Sequence, residues 1–114
     1  MANTFKLITK AGVTGADVIY TPNSVTTIIL GLILGNTTSS QVTATVSLAS
    51  TTGSRAGDNN ENNQTVELIT NTPIPAGSSL ELLSGNKVVM EDNDALSVSA
   101  TGSTDVALSI MEIS

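Results

Sequence analysis

Ser84-Gly85-Asn86-Lys87 spells the Ser-x-x-Lys of a serine acyltransferase. That chemistry requires the serine at a helix start with the lysine one turn on. Here the four residues fall between two short apolar runs and read as a hairpin turn. Glu67 and Glu81 could be imagined as the carboxylate pair of a glycosidase. Both sit at outward positions of alternating segments, and one Tyr and one Phe are all the aromatics there are to stack a sugar. Asp58, Asn60 and Asn62 occupy positions one, three and five of a calcium loop. The pattern then fails where geometry is most demanding: Asn63 stands in place of the glycine, and Ile69 in place of the bidentate glutamate. Glu91, Asp92 and Asp94 cluster before an apolar stretch and read as a solvated turn, with Asn93 or Asp94 bonding its own backbone. The chain has no His and no Cys, so neither a His-activated serine nor a zinc site can be built. We expect no enzyme, no catalytic residue, no cofactor and no metal.

The charge balance narrows the partners. A net charge of −6, with Lys6, Lys10, Arg55 and Lys87 scattered, makes no basic stripe for phosphate, so neither nucleic acid nor an anionic membrane is expected. The apolar run from Ile28 to Gly35 is far shorter than the roughly 20 residues that span a bilayer. The opening residues lack a charged-then-apolar secretory pattern, so the reading is a soluble chain made without export. On that reading the acceptor triplets at Asn36 and Asn63 are incidental. Gly31 and Gly35 form a G-x-x-x-G, here marking close backbone approach in a strand or its end rather than a membrane helix contact.

The elements that would position any site alternate with period two. Val42, Ala44, Val46 and Leu48 point one way between Thr43, Thr45 and Ser47, and Leu96 and Val98 alternate with serines. Val106, Leu108 and Ile110 repeat the pattern. Each predicts a strand with one core face and one hydroxyl-rich face, as antiparallel sheets allow. Turns are expected at Pro22-Asn23, Asn36 to Ser40, Gly85-Asn86 and Gly102-Ser103, and Thr72 to Gly77 is an edge or crossing segment because prolines cannot donate to a ladder. The expected fold is all-β: an antiparallel β-sandwich, jelly-roll-like or Ig-like, in a single domain over 1–114. Residues 1–10 read as an N-terminal arm and 51–64 as an exposed loop.

Ile28 to Leu34 is apolar on both phases, which calls for burial at the sandwich centre or against another subunit. Ile29, Gly31 and Ile33 are therefore the candidate subunit-packing face, and Phe5, Leu7 and Ile8 are candidates for an arm that reaches a neighbour. The Thr, Ser and Asn exterior adds to this, since neutral faces desolvate at lower cost than charged ones.

Asp17-Val18-Ile19-Tyr20-Thr21-Pro22, the apolar 25–36 strand, Thr37-Thr38-Ser39-Ser40-Gln41-Val42, Pro73 to Leu80, Gly85 to Val89 and Asp94 to Val98 carry a likeness spanning nearly the whole chain after residue 17. In these phrases the sequence resembles a family of small β-rich virion structural proteins of tailed bacteriophages, notably phages of marine cyanobacteria. Relatives have a shorter, more apolar insert than Thr51 to Gln64. The resemblance implies a capsid decoration, or cement, protein on the capsid exterior, made in the host cytoplasm. It further implies a homo-oligomer, with a trimer first, bracing contacts between major capsid proteins or other virion proteins. A neck, tail or fibre subunit is the alternative, and a glycan-binding module a more remote one.

Overall fold

Alternation of apolar and small polar residues gives strands throughout the described residues 3–50, 64–82 and 88–113 of this computed structural model. The elements are β1 (Asn3–Tyr20), β2 (Thr26–Asn36), β3 (Val42–Ser50), β4 (Gln64–Ile74), β5 (Ser79–Leu82), β6 (Val88–Met90) and β7 (Ala95–Ile113). All pairings are antiparallel, in one seven-stranded sheet ordered β4-β3-β7-β2-β5, with β1 beside β7 and β6 beside β2. The all-β expectation holds. The Ser84–Lys87 turn and the 51–63 part of the loop, with its calcium-like pattern, lie outside the described residues.

Two long strands turn this one sheet into two layers. The first half of β7 pairs with β3 and with Gly15–Tyr20 of β1; its second half pairs with β2 and with Asn3–Lys10 of β1. Strands that switch layers need a corner. The corner in β1 is built on register shifts between Lys10 and Gly15, with Gly12 and Gly15 at φ near 66° and 67°, where a Cβ would be strained. The Gly12 N–H, freed from the ladder, donates to Asp105 Oδ1 at 2.9 Å. The facing corner in β7 is Gly102, where a Cβ would come within 2.6 Å of Val42 Cγ1. The expected Gly102-Ser103 hairpin is therefore a bend inside one 19-residue strand. Gly102 admits close packing there rather than a reversal of direction, and Thr101 Oγ1 replaces a ladder acceptor for the Thr43 N–H.

The inward positions of both halves meet in one apolar cluster. Val46, Leu96 and Val98 come from one half and Ile29, Leu32 and Leu108 from the other, all at 0% exposure. Buried polar groups are satisfied, as interiors require. Asn36 Nδ2 donates to the carbonyls of Ser40, Ile74 and Pro75, while its Oδ1 accepts from Thr38 N and Oγ1. One side chain thus ties the end of β2 to the following turn and to the crossing segment after β4.

Candidate interaction surface

Among the described residues, Lys6, Tyr20, Glu91, Asp92, Asp94 and Glu112 are engaged in holding the fold together. Tyr20, ending the first layer, donates its hydroxyl to Glu112 Oε2 at 2.6 Å and shares a 2.7 Å hydrogen bond with the buried Thr27 Oγ1. Lys6 Nζ lies 2.8 Å from the other oxygen, Glu112 Oε1. Burial first, and then the hydrogen bond to Glu112, push the Tyr20 hydroxyl up to about 12. The Lys6 hydrogen bond first, and then that of Tyr20, hold the Glu112 carboxyl below its usual range. Because Tyr20 belongs to one layer and Lys6, Thr27 and Glu112 to the other, this cluster is a clasp across the open end of the sandwich.

The 91–94 acidic turn has the same character. Glu91 accepts from Thr26 Oγ1, Asp92 from Ser24 N, and Asp94 from Glu91 N. Asp94 is fully buried, so the expected solvated turn is instead a packed one for that residue, bonding its own backbone as the sequence suggested. Glu67 and Glu81 are exposed and lie on different layers, with Glu67 in register with β3 and Glu81 with β2. Among the described residues no group of three His, Cys, Asp or Glu side chains could hold a metal, and no helix is long and apolar enough to cross a membrane.

What is left is the outer face of the second layer. The registers of β1, β7, β2, β5 and β6 set its outward residues in rows: Phe5-Met111-Ile28-Val89, then Leu7-Ser109-Gly31, then Thr9-Ala107-Ile33-Glu81. Two of the three rows are free of charge, and the third carries one only at its end. Phe5, Leu7 and Ile33 are 71%, 64% and 45% exposed. Shallow depressions of about 390 and 190 Å³ dent the face, one between Phe5, Lys6, Leu7, Leu30 and Ser109, the other beside Gly31, Ile33 and Glu81. Nothing lies within 4 Å of where a Gly31 Cβ would be, so the missing side chain leaves a hollow.

The residues singled out from sequence divide on this geometry. Phe5, Leu7, Gly31 and Ile33 share the outer face. Ile29 does not: Leu30 has no partner opposite it on β7, and this bulge turns Ile29 into the core beside Ile110. Residues 3–10 are hydrogen-bonded along β7 as the first half of β1, so Ile8 takes the phase opposite Leu7 and packs on the core beside Leu108. Sequence reading missed Met111, Ile28, Leu30 and Val89 as members of the face. The signal for Met111 was present, since 107, 109 and 111 are out of phase with the core residues 106, 108 and 110.

No family pattern and no curated protein matches the chain. Among solved structures it is similar to a protein of the disulfide-linked pili that form Bacillus endospore appendages, at TM-score 0.42 and 16% identity over 96% of this chain and 85% of that one. It is also similar to a chain of infectious bursal disease virus, Gx strain, at TM-score 0.39 and 11% identity over 98% of this chain and 37% of that one. A chain of the T13 particle of the same virus gives 0.39 and 12%, over 96% and 35%. The chain spans little more than a third of those viral chains. At these values the likenesses carry no assignment of role.

Proposed function

We propose that this chain is a non-enzymatic structural subunit of a virus particle, a capsid decoration or cement protein that braces contacts between major capsid proteins. The observation that carries the reading is the largely apolar outer face, with Phe5, Leu7 and Ile33 exposed and Glu81 and Asp105 at its margins, beside a cluster of ionisable groups tied up in the Tyr20 clasp and the 91–94 turn. Burying one large apolar side chain such as Phe5 or Leu7 contributes about 1.5–3 kcal/mol. A modest contact repeated over a shell then adds up to substantial bracing. The sequence resemblance to phage virion proteins supplies the setting.

The test is copy number and binding. Densitometry of purified particles is expected to show hundreds of copies, and the isolated protein is expected to bind empty shells. Phe5→Asp is expected to weaken that binding at least tenfold without unfolding the chain. Tens of copies or fewer would move the subunit to the neck, tail or a fibre. Absence from assembled particles would end the proposal.

A further inference from the structure

We infer that the apolar outer face of the second layer docks on the same face of a second copy, about a two-fold axis parallel to its strands and running between β7 and β2. This rests on the reading of that face as an interface and names its partner.

The sheet's edges argue for face-to-face rather than strand-to-strand association. β1 leaves a long edge open, but it directs Lys6 and Lys10 toward the inside phase and is kinked at Gly12 and Gly15. The opposite edge, β4, carries Pro73 and two register irregularities, and β5 and β6 are 4 and 3 residues long. Inward charges, kinks, prolines and short edge strands are the devices that discourage strand addition. These devices guard the edges and leave the middle of the outer face, on β7 and β2, uncovered.

Self-complementarity follows from the register. An axis along the strands keeps each row at its own level and exchanges β7 with β2 and β1 with β5 or β6. Met111 then meets the second copy's Ile28, Ser109 meets its Gly31, and Ala107 meets its Ile33. Phe5 falls on its Val89, and Thr9 on its Glu81. At the far end Asp105 meets Gly35, so no carboxylate opposes a carboxylate. The other in-plane axis, across the strands, reverses the rows and sets Asp105 against the second copy's Met111, stripping water from an acid against a thioether. The rows select the first axis.

Strands about 4.8 Å apart and a rise of about 3.4 Å per residue give the face a plan of about 500 Å². A standard interface buries roughly 800 Å² per partner, so the pair is a weak, reversible one. Each copy carries a charge of −6, and within the matched rows only Glu81 and Asp105 are charged, each set opposite a neutral residue. Salt therefore relieves repulsion between the copies without weakening the apolar contact.

Sedimentation velocity over a hundredfold range of protein concentration tests this. The mass of the smallest species is expected to double as concentration rises, and the association constant to increase severalfold between 50 and 500 mM NaCl. Phe5→Asp and Ile33→Asp, both at exposed positions, should each reduce association at least tenfold. Val18→Asp, at an exposed position on the other layer's outer face, should leave it unchanged, and circular dichroism should show all three folded. A wild-type chain that stays at one mass throughout, or association that Val18→Asp weakens as much as Ile33→Asp does, would overturn the self-pairing. If Phe5→Asp still abolished shell binding by a wild type that never pairs, the interface reading would survive without its self-partner. A wild type that pairs but ignores shells would leave the pairing and remove the cement role.

Discussion

The two outer faces of this sandwich are laid on the same pair of long strands, yet they differ in chemistry. On the first layer the outward rows run Val18-Ser97-Ser47-Glu67 and Ala16-Ser99-Thr45. On the second they run Phe5-Met111-Ile28-Val89 and Thr9-Ala107-Ile33-Glu81. The inward rows are alike: Val98 and Val46 on one layer match Leu108 and Leu32 on the other, all fully buried. Folding therefore makes the same demand of both layers and leaves the outer residues free. What differs is what each outer face meets. Hydroxyls keep their hydrogen bonds in water, whereas Phe5, Leu7 and Ile33 gain only when another surface covers them.

The largest expected effect separates inside from outside on the second layer. Leu108→Ala should cost about 2–5 kcal/mol, because it empties a fully buried site, while Leu7→Ala on the neighbouring strand should cost under about 1 kcal/mol. Urea unfolding of both variants checks this, and equal losses would erase the distinction between core and outer face. Next comes the corner that joins the two faces. Gly102→Ala sets a Cβ against Val42 Cγ1, and the forced shift should cost about 1–3 kcal/mol on the same assay.

The clasp across the open end gives a pH signature of smaller size. Tyr20 is raised to about 12 from 10.0, so the unfolded chain ionises first. Its contribution is whole below pH 10 and is lost between pH 10 and about 12. Glu112 is shifted the other way, so its contribution is present above its ordinary 4.5 and falls away as the pH drops below that. As the chain has one Tyr and no Trp, absorbance near 295 nm reads the titration directly, and Tyr20→Phe should flatten the alkaline decline. A midpoint at 10 would remove the clasp. The smallest effect is on the faces themselves. Ser99→Ala and Ile33→Ser should each change stability by less than about 0.5 kcal/mol, but only Ile33→Ser should shorten retention on a hydrophobic-interaction column.

Much of the first layer was legible in the chain. Val42, Ala44, Val46, Leu96 and Val98 lie inward as alternation predicts, because period two maps directly onto the two sides of a pleated strand. The second layer was legible only in part. Ile29 and Ile33 share a phase on paper, and the bulge at Leu30 puts one in the core and the other outside. A bulge depends on what the partner strand offers opposite it, and one chain segment carries no record of that. Gly102 likewise reads as a turn until Val42 is seen against it.

The residue sequence alone determined an all-β chain, through its alternation, and closed off His- and Cys-based sites by lacking both residues. Only the tertiary structure decided that Phe5, Ile28, Ile33 and Met111 form one surface. They lie far apart along the chain, and pairing in register is what brings them together. Alternation is a local property that each strand carries within itself, whereas a face belongs to several strands and exists only once the ladder hydrogen bonds have set their order and register.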